Sequence, residues 1–342
     1  MPEGRRPRLS PVVAKARSAL ADALGPRDPH GPLLLVACSG GPDSLALAAA
    51  TAFFVRRGDF RAGAVVIDHN LQPGSAQVAE RAAASLRSLG LDPVQVRSVT
   101  VDDEGEGPEA AARSARYAAL DAAAQDLGAD AVLLGHTLDD QAETVLLGLA
   151  RGSGARSLAG MPAARGRYLR PFLSLRREET LGICAAEGLD PWHDPTNADP
   201  AFTRSRVRTT VMPLLEKELG PGVAESLART AAILTEDAAY LDAASAEIYA
   251  AVLREPPRAG AALELDAAGL RAAPAALRLR ALALAAVASA GVQPSRERLL
   301  AVDALLNRKG AGEVQLPGRV SVWAAPGANR DDGQGRLVFI SS

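Results

Sequence analysis

The sequence predicts an α/β fold, a parallel sheet with helices on both faces, followed by a smaller, mainly helical domain. Three observations carry that expectation. Over the first two hundred residues, short apolar runs alternate with helical patterns. The runs are continuous rather than alternating in polarity, as strands buried on both faces require. The alternation fades after about residue 152, and beyond residue 218 helical segments dominate.

Each element follows from its own residues. "LLLVAC" (33–38) is an apolar run of strand length, and a helical pattern runs from Asp43 to about Arg57. "AGAVVIDH" (62–69) is the second strand, and "SAQVAERAAASLRSLG" (75–90) a helix that ends on glycine. "PVQVRSVTV" (93–101) is the third strand, followed by an acidic, glycine-containing loop and a helix over 109–128. "DAVLLGH" (130–136) is the fourth strand and "DDQAETVLLGLARG" (139–152) the next helix. A Gly/Arg/Pro-rich stretch (151–175), a helix (176–189) and an irregular segment lead to a break at "ELGPG" (218–222). Helical patterns then cover roughly 222–253, "ALRLRALALAAVASAG" and "SRERLLAVDALLNRKG", and the chain finishes in short strands around "EVQLPGRVSVW" and "GRLVFIS". The predicted domains are therefore 1–218 and 219–342, in agreement with about two domains at ~150 residues each. No internal repeat interrupts this order.

Composition narrows the function classes. Hydrophobic residues make up 48% of the 342-residue chain and aromatics 4%, so the core must be built from Leu, Val and Ala. No apolar run approaches the ~20 residues of a membrane span, and the basic N-terminus lacks the apolar stretch of a signal peptide. The two cysteines, Cys38 and Cys184, have no CxxC or metal-type spacing. A reduced, cytoplasmic protein with no membrane partner is the expectation. The net charge of −2 argues against bulk attraction to nucleic acid. Its distribution is uneven, since seven arginines and no acid lie between Arg151 and Arg177. Arginine's planar fork suits phosphates and base edges, although a GC-rich coding bias would give the same preference.

The stretch between the first strand and its helix is the most informative. Ser39-Gly40-Gly41-Pro42-Asp43-Ser44 is a glycine-rich turn at a helix N-terminus, where free N–H groups and the helix dipole favour an anion. It matches neither GxxxxGK[ST] nor GxGxxG. With no lysine to handle a γ-phosphate, it suits a pyrophosphate held by backbone N–H groups and two hydroxyls, with Asp43 holding magnesium. The competing reading is an ordinary Gly-Gly turn with Asp43 as the helix cap.

"GHTLDDQAET" (135–144) is the second informative stretch. His136 ends a strand at the edge where such sheets bind ligands, as do Ser39 and Asp68. Asp139 falls where a helix cap is expected, and Asp140 and Glu143 share a helix face. Paired carboxylates can hold an ammonium group and accept its proton, or simply complement the helix dipole. Arg113 and Arg116 are three apart with Tyr117 adjacent, and Arg204 and Arg208 share a face with Arg206 between them; as solvated basic surfaces they need no function. Trp192 and His193 belong to a packed loop.

"SGGPDS" resembles the SGGxDS loop of the PP-loop ATP pyrophosphatases, which cleave ATP between the α and β phosphates. Four further stretches are similar to those of the bacterial tRNA(Ile)-lysidine synthetases: "IDHNLQPGSA" (67–76), "EAAARSARYAAL" (109–120), "GHTLDDQAETVLLGLARGSG" (135–154) and "DPTNADPAFTRSRVRTTVMPLLE" (194–216). The resemblance is dense over 33–216 and weaker beyond. It implies an adenine-nucleotide-binding α/β domain and a helical domain that binds tRNA. The implied reaction joins free L-lysine to C2 of the wobble cytidine of tRNA(Ile) with anticodon CAU. ATP and Mg2+ are used, and an adenylated cytidine is the intermediate. The products are lysidine, AMP and pyrophosphate. Codon reading then changes from AUG to AUA and charging from methionine to isoleucine. The resemblance places Asp43, His136, Asp140, Glu143, Arg116 and Arg204 in the chemistry, with the substrate lysine at Asp140 and Glu143. Ser39 to Ser44, Asp68 and His69 would contact the nucleotide. It leaves a homodimer open. Gln72 and Ser205 depart from the family pattern, where arginine and asparagine are common. Two rivals remain. A tRNA 2-thiolating enzyme of the same loop family would need cysteines, typically a CxxC pair, that Cys38 and Cys184 do not supply. A non-catalytic RNA-binding protein would not need Asp43, Asp140 and Glu143.

Overall fold

The computed structural model describes residues 9–68, 70, 74–100, 108–152, 154–195, 199–255, 257, 260–307, 312–325 and 335–341. Contacts divide the chain into Met1–Leu234 and Thr235–Ser342.

The first unit is built on strands β1 (Leu33–Cys38), β2 (Ala62–Asp68), β3 (Val94–Ser98), β4 (Ala129–Leu134), β5 (Ala164–Arg165) and β6 (Tyr168–Leu169), in the order β3-β2-β1-β4-β6-β5. Every pairing is parallel except the terminal β5–β6 hairpin. Helices α1 (Pro11–Leu24), α2 (Pro42–Arg56), α3 (Ser75–Ser88), α4 (Pro108–Asp126), α5 (Leu138–Ala150), α6 (Ala155–Leu158) and α7 (Arg177–Ala186) accompany it. The continuous apolar strand in the sequence has its reason in β1, whose six residues are all buried. Leu34, Val36 and Cys38 enter one core with α1, α2, α3 and α7, while Leu33, Leu35 and Ala37 enter another with α4. Each fully buried Leu or Val contributes about 1.5–3 kcal/mol.

Strand order reverses between β1 and β4, and ligands bind such sheets at the carboxyl ends flanking that reversal. Ser39 and His136 leave the sheet there, and the two loops approach closely. A Cβ on Gly135 would lie 3.0 Å from the backbone of Asp43 and Ser44.

Beyond the sheet, α8 (Thr203–Arg206), a π-helical turn (Val207–Val211), α9 (Met212–Leu219) and the long α10 (Val223–Val252) follow. The break expected at 218–222 is present as Gly220 and Gly222, both at positive φ. The units nevertheless part at residue 234, inside α10. The reason is local: Glu216 accepts the N–H groups of Gly222, Val223 and Ala224 at 2.7–3.2 Å, and Glu225 pairs with Arg176. These contacts tie the first turn of α10 to the first unit.

The second unit holds β7 (Leu253–Arg254), β8 (Leu263–Asp266), α11 (Ala267–Ala272), α12 (Ala275–Ala290), α13 (Arg296–Leu305), β9 (Glu313–Leu316), β10 (Val320–Ala324) and β11 (Arg336–Ser341). Its strands form one antiparallel sheet, β7-β8-β11-β10-β9, sharing a core with the helices. The terminal strands match expectation, whereas β7 and β8 had no signal. "LELD" carries a charge in mid-strand, and Glu264 is fully buried against Arg336.

Candidate active site

The loop after β1 is shaped by glycine and serine. Gly40 has φ +82°, and a Cβ there would lie 3.2 Å from Ala82. Gly41 caps α2 with no side chain, and Pro42 takes the first helical position, where its missing N–H costs nothing. Asp43 therefore lies within the first turn and is not the cap, which corrects that part of the ordinary-turn reading. Ser44 is buried; its hydroxyl donates to the Gly41 carbonyl at 3.0 Å and accepts from the Ser39 N–H at 3.2 Å. Ser39 is exposed, with its hydroxyl 3.4 Å from that of Ser44. Trp192 closes one side, donating its N–H to the Gly40 carbonyl at 2.9 Å, while His193 is exposed. The uncapped start of α2 thus keeps its dipole available to an anion.

Opposite this loop begins α5. Thr137, rather than Asp139, is its cap, in a reciprocal box with Asp140: the Thr137 N–H and hydroxyl donate to Asp140 Oδ2 at 2.9 and 3.0 Å. The hydroxyl commits first because it stands three residues ahead of a carboxylate. Asp139 instead accepts the Arg177 N–H at 2.7 Å and pairs with Arg176 at 3.1 Å.

Asp140 and Glu143 face inward and are nearly buried, and three arginines converge on them. Arg177 reaches Asp140 at 3.0 Å and Glu143 at 3.7 Å. Arg204 reaches Glu143 at 3.1 Å and donates to Thr144 Oγ1 at 2.8 Å. Arg208 reaches Glu143 at 2.7 Å and Asp140 at 3.1 Å. Burial opposes the Asp140 charge, but Arg177, the Thr137 N–H and Arg208 outweigh it and hold the carboxyl below its ordinary range. Burial pushes the Asp43 carboxyl up, against Arg177 and the Thr180 hydroxyl that donates to it.

His136 has its pKa pushed down to about 3, first by burial and then by Arg116, Arg170 and Arg204, against Asp140. It is a neutral imidazole at pH 7, and among the described residues its buried Nδ1 has no hydrogen-bond partner. Arg116 is half-buried, and burial lowers its pKa; Arg113, one turn away, is exposed and stacks on Tyr117. The fold thus separates two arginines that the sequence left together.

Asp68 is buried at the end of β2, where it accepts the Asn70 N–H at 3.0 Å. His69 and Gln72 lie outside the described residues. Ser205 is buried and its carbonyl accepts the Thr209 hydroxyl. The arginine run also divides: Arg170 is buried, Arg176 and Arg177 join the acids, and Arg151, Arg156 and Arg165 remain exposed.

Sequence reasoning missed Gly135, Arg177, Arg208's place on Glu143, and Thr180. Only Arg208 carried a signal, its spacing of four from Arg204. A cavity of about 220 Å³ opens beside the acids, lined by Asp139, Glu143, Arg177, Arg208, Met212 and Glu216 among others. No group of three His, Cys, Asp or Glu arranged for a metal ion occurs among the described residues, and no described helix is long and apolar enough to cross a membrane.

Comparison with known proteins identifies the family of the fold. The PP-loop domain family matches residues 13–215. A tRNA(Ile)-lysidine synthase of Thermobifida fusca is 54% identical over 329 residues, 95% of this chain and 97% of the relative. One of Leifsonia xyli is 55% identical over 299 residues, 86% of this chain and 89% of the relative. Among solved structures, the U34-tRNA thiolase NcsA of Methanococcus maripaludis, with its [4Fe-4S] cluster, superposes with a TM-score of 0.55. It is 18% identical and covers 66% of this chain and 80% of its own, a likeness of fold.

Proposed function

Because this chain belongs to the tRNA(Ile)-lysidine synthase family and carries its PP-loop domain, we propose that the cleft between α2 and α5 performs the whole ligation. It is an ATP-using tRNA-modifying ligase, and its substrate set is a tRNA(Ile) with a CAU anticodon, ATP and free L-lysine, in the cytoplasm. C2 of cytosine carries an oxygen that an amine cannot displace directly in water. Attack of that oxygen on the α-phosphorus of ATP forms an O–P bond and expels pyrophosphate. The lysine ε-amine then attacks C2, and the oxygen departs with AMP.

The chain's own groups fit these steps. Backbone N–H groups at the start of α2 and the Ser39 hydroxyl cradle the phosphates. Asp43 is the carboxylate that would hold Mg2+, which binds through one or two carboxylates and completes its shell with phosphate oxygens. Bound there, the ion would neutralise phosphate charge. Asp140 and Glu143 hold the lysine ammonium; with a reference pKa of about 10.4, that amine must lose its proton before it attacks. That they already hold three guanidinium groups supports their role as a site for cations. Neutral His136, whose Nδ1 meets no partner among the described residues, can hydrogen-bond the base or the leaving oxygen without adding charge. Arg116 faces the same side and supplies a cation for the nucleotide.

The supporting observation is that one guanidinium, Arg177, spans Asp43 on the phosphate side and Asp140 on the amine side. The competing thiolase chemistry finds no support, because Cys38 and Cys184 are buried free thiols on separate elements. The decisive experiment is mass spectrometry of the anticodon fragment after incubation of the tRNA with ATP and lysine. A lysine adduct on the wobble cytidine is expected; an unmodified fragment, or one bearing sulfur, would overturn the reading.

A further inference from the structure

Arg177 occupies the first position of α7, the wrong end of a helix for a cation, since the dipole there favours anions. Helix formation does not account for it. Its partners do. Nε donates to Asp43 Oδ2 at 3.4 Å, Nη2 to Asp140 Oδ1 at 3.0 Å, and Nη1 lies 3.7 Å from Glu143 Oε1. Its backbone N–H donates to Asp139. Three nitrogens of one planar group thus meet three carboxylates carried by two helices that begin near 96 residues apart in sequence, α2 and α5. Among the described residues, the hydrogen bonds of Arg204 and Arg208 go to groups of α5. Among the described residues Arg177 is the cation that pairs with Asp43.

We propose that Arg177 is a positioning residue that holds Asp43 in register with Asp140 and Glu143, so that adenylation and amine attack share one centre. The inference rests on the two-step reading above. Without the bridge, each carboxylate can still serve its own step, but the adenylated base is no longer presented to the amine. The intermediate then has time to meet water, which returns cytidine and AMP. The consequence is uncoupling: ATP is cleaved without lysidine being made.

The test is R177K, which keeps a cation but cannot span three acids. Pyrophosphate and lysidine are counted in the same reaction with saturating ATP and lysine. The wild-type ratio is expected near one; in R177K it should rise about tenfold, with kcat for lysidine lowered about a hundredfold, the size of effect that a 1 Å misplacement produces. A residue that only stabilises the fold would lower both products together, so a ratio that stays near one overturns the proposal, as does wild-type behaviour. A second measurement does not depend on turnover. Double-mutant cycles in denaturant unfolding, pairing R177K with D43N and with D140N, should both be non-additive; additivity in either cycle overturns the bridge. Should the wild-type protein release no pyrophosphate with tRNA, the two-step reading fails, while the cycles still decide whether the bridge exists.

Discussion

The two halves of the cleft are built by different physics. The side proposed for phosphate is local in its backbone, with six consecutive residues, a left-handed glycine, a proline at the first helical position and an uncapped helix start, although Asp43 also meets Arg177 and Thr180 of α7. The amine side is assembled from afar. Asp140 and Glu143 come from α5, and their counter-ions come from α7 and from the helical turns at 203–211. A local site fails all at once when its one acid is removed. A network shares its charge among several partners and fails by degrees.

The largest effect should therefore come from the local half. Asp43→Ala removes the carboxylate proposed to hold Mg2+, so pyrophosphate release should drop by roughly 10²–10³-fold, with tRNA affinity unchanged by filter binding. Pyrophosphate release near the wild-type rate would dissolve the distinction between the halves. The amine side should yield less. For Glu143→Gln or Asp140→Asn, loss of a charged buried hydrogen bond worth roughly 1.5–3 kcal/mol predicts about a tenfold to hundredfold rise in lysine KM with ATP KM held. If lysine kinetics are unmoved in both variants, the acids only start a helix.

The same division decides what could be read in advance. Strands β1 to β4, the helices between them, α7 and the turn from Ser39 to Ser44 were legible because each rests on residues adjacent in sequence, whereas α1 and the β5–β6 hairpin were not foreseen. The capping of α5 was misassigned by two residues because Thr137 and Asp139 are both good caps. Only the reciprocal bond to Asp140 chooses between them. Arg177, Thr180 and Gly135 left no trace, since what matters about them is what stands opposite after folding. Glu264 hid a strand for a related reason: a charge in an apolar run reads as a surface until its partner Arg336 is known.

Gly135 marks where the halves touch, and changing it sharpens the comparison without removing a charge. Gly135→Ala puts a Cβ against backbone atoms that cannot rotate away. Forcing the loops apart should cost about 1–3 kcal/mol by the usual price of overpacking, measured by urea unfolding. Both half-reactions should slow together. A variant as stable and active as wild type would show that the approach of the two loops is not needed.

The smallest effects concern tRNA, and here the structure changes which arginines count. Arg206 is exposed and donates to the carbonyls of Pro200 and Ala201, and Arg165 is exposed at the edge of the β5–β6 hairpin, with Arg167 nearby. Arg208 belongs to the carboxylate network. An arginine that touches a phosphate releases condensed counterions, and each such contact contributes roughly 0.7–0.9 to the slope of log affinity against log salt. Changing Arg165 and Arg167 together to alanine should therefore flatten the slope by up to about 1.4–1.8, and Arg206→Ala by up to about 0.7–0.9, if those groups meet the backbone. Arg208→Ala should lower turnover and leave the slope alone, because its charge is already spent on Glu143 and Asp140. Titrations of tRNA at several salt concentrations separate these outcomes. A flattened slope for Arg208→Ala would mean that its pairing with Glu143 opens on binding RNA. Unchanged slopes for Arg206 and for the Arg165/Arg167 pair would move the RNA face away from this part of the chain, toward Thr235–Ser342.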